Sequence, residues 1–223
     1  MGIEAIQWRQ MLKHFPRPAK VLSLGYPDML VPAEEVLPHV PDAIEVSNAD
    51  EVRKWHGWDG PVWDTLYVFR KLGWDLDCVD FKRHRGCEWV IDLNEVDPFI
   101  PLRIEHFYDA LIDPGSLEHV FNIGNAWHWA LGQVKPGGIL VHFSPATAVN
   151  HGMYCISPGT YPDLYGEENI LEQFIVAGDK HNRIVEPFKQ HARGRVKLPP
   201  EVWNFVVAKN PPTFEFPIQK KYR

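Results

Sequence analysis

The chain has 223 residues, 45% of them hydrophobic, which is enough apolar material for one sizeable core. A net charge of −6, with no run of Lys or Arg longer than a pair such as Lys220-Lys221, argues against bulk nucleic-acid binding, and no apolar run is long enough to span a membrane. Three cysteines (Cys78, Cys87, Cys155) without CxxC spacing fit reduced thiols rather than a disulfide framework, and the N-terminus lacks the apolar core of a signal peptide. The expectation is a soluble, cytoplasmic protein.

Residues 4 to 14 read as a weakly amphipathic helix ended by Pro16 and Pro18. Lys20 to Gly25 (KVLSLG) is a buried strand, and Tyr26-Pro27-Asp28 turns the chain directly after it. In an open parallel sheet that turn lies at the carboxyl edge, where ligands bind. Residues 29 to 61 are rich in Pro, Trp and acid and read as an insertion, in which Trp55 and Trp58, with Trp63 just after, are candidates for a pocket wall or a contact in a homo-oligomer. Val62 to Leu72 restores helical spacing. Leu76 to Phe81 and Glu88 to Leu93 are then two strands whose ends carry Asp80 and Asp92. Such carboxylates can accept hydrogen bonds from the hydroxyls of a nucleoside, or they can cap loops, with Arg83 or Arg85 as alternative partners for Asp80.

Tyr108 to Ile112 is a short apolar run that stops at Asp113-Pro114-Gly115. Ser116 is placed to cap a helix whose apolar residues, from Leu117 through Trp127 to Val134, recur at helical spacing. The turn Lys135-Pro136-Gly137-Gly138 ends that helix and Ile139 to Phe143 is a second strand, so the segment reads as a right-handed βαβ unit. The aromatic, Pro- and Gly-rich stretch 144 to 169 should lie over the same sheet edge. Within it His151 is the candidate base and Tyr154 a candidate for positioning an acceptor, because an imidazole titrates near neutrality. His119 reads as a loop hydrogen-bonding residue. No tight ligand pair links His119, His142, His151 and Cys155, so no metal is expected. Residues 170 to 177 and 202 to 208 suit the last two strands, and 210 to 223 a surface arm.

The segments VDF, VIDLNEV, FYDALIDPGSLEHVFN and QVKPGGILVHFSP, between Cys78 and Pro145, resemble the class I S-adenosylmethionine-dependent methyltransferases, closest to the small-molecule or sugar type of bacteria and phages. The likeness covers residues 20 to 160. It implies an α/β fold in a single domain over 1–223, a Rossmann-like open sheet of about seven mostly parallel strands with the last antiparallel and helices on both faces. It also implies S-adenosylmethionine as cofactor and a small-molecule acceptor as partner. On this resemblance Ser23, Gly25 and Tyr26 face the methionine part, Asp80 with Phe81 the ribose, Asp92 and Leu93 the adenine, and Asp113 the sulfonium side. The chain departs from the family at the first turn, where Ser23 replaces an acid and Pro27 and Met29 replace glycines. That departure keeps a second reading open, a non-catalytic methyltransferase-like binding or assembly protein. A nicotinamide oxidoreductase is disfavoured, since the turn lacks G-x-G-x-x-G.

Overall fold

The computed structural model describes residues 2–83, 85, 88–97, 108–148, 150–177, 184–187 and 201–211. In chain order the elements are β1 (Gly2–Ile3), α1 (Ala5–His14), β2 (Ala19–Leu24), β3 (Asp28–Met29), α2 (Ala33–Val36), α3 (Ala49–His56), α4 (Thr65–Lys71), β4 (Trp74–Asp80), β5 (Glu88–Val90) and β6 (Tyr108–Asp113). After a 3-10 turn at Leu117–His119 come α5 (Ile123–Gly132), β7 (Val134–Pro145), α6 (Thr160–Tyr165), β8 (Ile170–Ala177), β9 (Ile184–Pro187) and β10 (Trp203–Lys209).

The main sheet runs β5-β4-β2-β6-β7-β10-β8-β9. Strands β5, β4, β2, β6 and β7 pair in parallel, and β10 lies antiparallel between β7 and β8. This is the mostly parallel, Rossmann-like sheet implied by the sequence resemblance, with one strand more than expected, because β9 returns antiparallel on β8. The extra strand falls in the polar stretch between the last two apolar runs, where the β8–β9 pairing comes from backbone hydrogen bonds that no apolar periodicity announces. Of the expected C-terminal arm, residues 212–223 lie outside the described residues, as does Cys87.

Period-2 alternation along the central strands splits the core between two faces. Val21 of β2 packs with Trp8 and Met11 of α1 and with Val68 and Phe69 of α4. Leu22 and Leu24 face the other way, onto Ala126, Trp127, Ala130 and Leu131 of α5 and Tyr161 and Tyr165 of α6. Trp74 anchors the first face, with edge-on contacts to Trp8, Phe15 and Phe69 at ring separations of 6.2, 5.3 and 5.1 Å, while its indole N–H donates to the Pro16 carbonyl at 3.0 Å. The geometry satisfies the polar end of a fully buried aromatic residue.

Two expectations change here. The helix expected to begin at Ser116 is broken into the 3-10 turn and α5, because the Ser116 hydroxyl donates to the Leu24 carbonyl instead of capping. Its place is taken by Asp113, whose Oδ1 accepts from the backbone N–H groups of Ser116 and Leu117 at 2.8 and 3.3 Å. The stretch 29 to 61 is a folded lobe that contains α2 and α3 and has its own apolar cluster of Leu30, Ala49, Val52 and Val62. Trp63 ties it to the body through bridges to Met29 and Glu45 and an indole bond to the Val31 carbonyl at 2.7 Å.

Candidate functional site

A cavity of about 430 Å³ opens at the carboxyl ends of β2, β4 and β5, on the side of the sheet edge where the order reverses about β2. Its lining comprises Gly25, Val79 to Phe81, Ile91 to Asn94, Ser116, His119 and Val120. Volume and lining suit a small organic ligand: apolar walls with a few polar groups, at a switch point of a parallel sheet. Asp80 ends β4, and its Oδ1 accepts from the Lys82 N–H at 3.1 Å. Asp92 is held likewise, with Oδ1 accepting from the backbone and side-chain amides of Asn94 at 2.9 and 3.0 Å. Each carboxylate is therefore oriented by its own loop while still lining the cavity. Gly25 has φ +85°, a value that side chains rarely adopt, and its N–H donates to the Val79 carbonyl at 2.6 Å, closing the mouth of β2 against β4.

Of the residues expected to bind a cofactor, the cavity gathers Gly25, Asp80, Phe81, Asp92 and Leu93. Ser23, Tyr26 and Asp113 are not in its lining. Ser23 is fully buried and spends its hydroxyl on the Gly25 carbonyl at 2.7 Å, so it shapes the turn. Tyr26 faces a neighbouring cavity of about 270 Å³, with Asp28, Asn48, Glu51, Val52, Trp55, Asp80 and Arg85. Asp113 is 1% exposed and turns inward.

Asp113 heads a buried chain of donors. The Trp127 indole N–H donates to the Tyr165 hydroxyl at 2.7 Å, that hydroxyl donates to His142 Nε2 at 2.6 Å, and His142 Nδ1 donates to Asp113 Oδ2 at 3.0 Å. This order is the one in which each group finds a complementary partner, since an indole only donates and a carboxylate only accepts. Tyr161 stands beside it, sharing a hydrogen bond of 2.6 Å with Ser144. Burial pushes the phenols of Tyr161 and Tyr165 far above the ordinary tyrosine range, so both stay protonated.

The turn after β2 is braced by charge rather than by glycines. Asp28, 4% exposed, pairs with Arg85 and with His56 Nε2 at 3.0 Å, and Arg85 also donates to the Asn48 side chain at 3.0 Å. Burial pushes the Asp28 carboxyl up, but the hydrogen bonds and charges of His56 and Arg85 outweigh it and hold the group below the usual carboxylate range. Arg85, one of the two partners offered for Asp80, thus has an established pairing with Asp28.

Beside His119, at the edge of the larger cavity, lies a feature the sequence did not announce. Glu118 is fully buried, and neither of its carboxylate oxygens has a hydrogen-bond partner. His151 Nε2 lies 3.5 Å from Oε1, and the rings of His119 and His151 are 5.2 Å apart. The Glu118 carbonyl accepts from the N–H groups of Met153 and Tyr154 at 2.9 and 3.2 Å, and the Tyr154 hydroxyl donates to the Phe121 carbonyl at 2.7 Å. Tyr154 therefore pins the loop, which carries His151 over Glu118. Burial raises the Glu118 carboxyl above its ordinary range; His151 opposes the rise and Asp113 adds to it. The sequence signal was slight, an acid between Leu117 and His119 in a stretch that reads as the start of a helix.

No family model and no curated protein matches the chain. Among solved structures it is similar to the N-methyltransferase NodS from Bradyrhizobium japonicum WM9, at 12% identity, 92% of this chain, 95% of that one and a TM-score of 0.46. It is also similar to the 1,6-didemethyltoxoflavin-N1-methyltransferase of Burkholderia thailandensis, solved with S-adenosylhomocysteine, at 12% identity, 92% and 76% coverage and a TM-score of 0.41. Similarities this low carry no residue roles to this chain, and the site stands on its own geometry.

Proposed function

We propose that the protein is an S-adenosylmethionine-dependent methyltransferase acting on a small-molecule or sugar-like acceptor. The observation that carries the reading is the cavity at the ends of β2, β4 and β5, with one carboxylate at its rim from the end of β4 and another from the loop after β5. The residues present suit the cofactor. Asp80 is oriented to accept from the ribose hydroxyls, Ile91 and Leu93 offer apolar faces to the adenine with Asp92 at its edge, and Gly25 lets backbone come close to the remainder. When bound, the cofactor supplies an electrophilic methyl group, so the chain's own work is to align the acceptor and exclude water. The acceptor end falls to the loop carrying His151, which Tyr154 fixes in place, and to the adjoining Glu118 and His119. The net charge of −6 and the 430 Å³ volume fit a small acceptor better than a polyanionic polymer.

One observation favours the rival reading of a non-catalytic, methyltransferase-like module. The turn after β2 holds Pro27 and Met29 where the family has glycines, and between them Asp28 is clamped by charge. Thermal melting with S-adenosylhomocysteine separates the two. At a ligand concentration about a hundredfold above Kd, stabilisation of about 2.7 kcal/mol is expected, a rise of roughly 5–10 °C for a chain of this size. Asp80→Ala, which removes charge-assisted bonds, should lower affinity at least tenfold. A melting temperature unmoved by ligand in the wild type would leave the binding-module reading in place.

A further inference from the structure

We propose that Glu118, His119 and His151 form a binding site for a divalent transition-metal ion, at the edge of the cavity described above. One ligand atom from each of the three lies within 4.8 Å of the others. Two imidazoles and one carboxylate are a donor set suited to zinc or ferrous iron, with positions left open for water or an exogenous oxygen. Bonds of about 2.0–2.2 Å place tetrahedral donors about 3.4 Å apart, and both imidazoles are exposed, so drawing in to that spacing does not require the core to repack.

The second observation is independent of that proximity. Glu118 is fully buried with both oxygens unpartnered, a costly state for a carboxylate that a cation would relieve. A Cβ on Gly115 would lie 3.0 Å from Glu118 Oε1, and one on Gly152 would lie 2.9 Å from Glu118 Cγ, so two glycines admit the carboxylate and the loop above it. His151 is backed edge-on by Trp203 at a ring separation of 4.6 Å, which limits where its imidazole points. His119 lines the cavity, so an ion held here would face its contents and polarise an acceptor oxygen. In that state His151 is a ligand, not a free base. The expectation of no metal arose because the ligands come from two loops far apart in sequence and one is a glutamate in a stretch that reads as the start of a helix.

The site does not depend on the methyl-transfer reading and is tested without it. The full chain, stripped of metal by chelator, is titrated calorimetrically with zinc chloride, and cobalt(II) is followed by its visible absorption. One equivalent of zinc should bind with Kd tighter than about 10 μM, with cobalt bands of a low-coordinate N/O site, while magnesium chloride gives no comparable heat. Glu118→Gln, His119→Ala and His151→Ala should each weaken zinc at least tenfold. The two histidines are exposed, so their variants keep the fold even if the glutamate variant does not. An absence of stoichiometric zinc binding, or binding that survives both histidine substitutions, overturns the proposal.

Discussion

Asp28 carries much of the local electrostatics at the residue scale. Its side chain is almost fully buried between Arg85 and His56, so Asp28→Asn removes the charge-assisted bonds to a half-buried guanidinium, at a cost of about 1.5–3 kcal/mol. The depressed carboxyl also fixes a pH dependence. Its stabilisation is fully present above the unfolded-state value near 3.8 and is lost as pH falls below that, through the lower folded-state value. Urea unfolding between pH 6 and pH 2 should show the wild type and Asp28→Asn converging below about pH 4. A gap that stays constant across that range would mean the ion pair contributes nothing. Asp80 and Asp92 were legible in the sequence because an acid at the end of an apolar run is a local pattern. Asp28 and Glu118 were not, since their meaning depends on partners brought up by other segments.

Two elements set the geometry of the site. The end of β6 is joined to β7 and α6 through Asp113, His142 and Tyr165, a hydrogen-bonded chain inside the α5–α6 face. Tyr165→Phe removes the hydroxyl that satisfies both His142 and the Trp127 indole, and should cost about 1–3 kcal/mol in chemical unfolding. A loss below about 0.5 kcal/mol would show the network to be dispensable. The loop bearing His151 rests on Gly152, where a methyl group has no room against Glu118. Gly152→Ala should therefore lower stability by about 1–3 kcal/mol and displace His151, and an unchanged melting temperature would contradict that packing. The βαβ unit was readable from periodicity, whereas the break at residues 117–122 was not. Ser116 is a good cap by type, but its hydroxyl is drawn to the Leu24 carbonyl by tertiary contact.

Across the whole molecule, sequence patterns located β2, β4, β5, β6 and the later part of β7, because buried parallel strands are short apolar runs bounded by turn residues, but not β3 or the start of β7 at 134–138, which read as turns. Position in the sheet was a different matter. The insertion of β10 between β7 and β8 and the return of β9 on β8 come from long-range pairing, which no local window records. The fold that results places the turn after β2, the two carboxylate-bearing loops and the Glu118 turn around one opening. No described helix is long and apolar enough to cross a membrane. The central claim, that this opening holds S-adenosylmethionine, is most directly tested by calorimetric titration of the full chain with S-adenosylhomocysteine. Saturable binding of one equivalent is expected, weakened at least tenfold in Asp80→Ala; no heat at millimolar ligand would rule cofactor binding out.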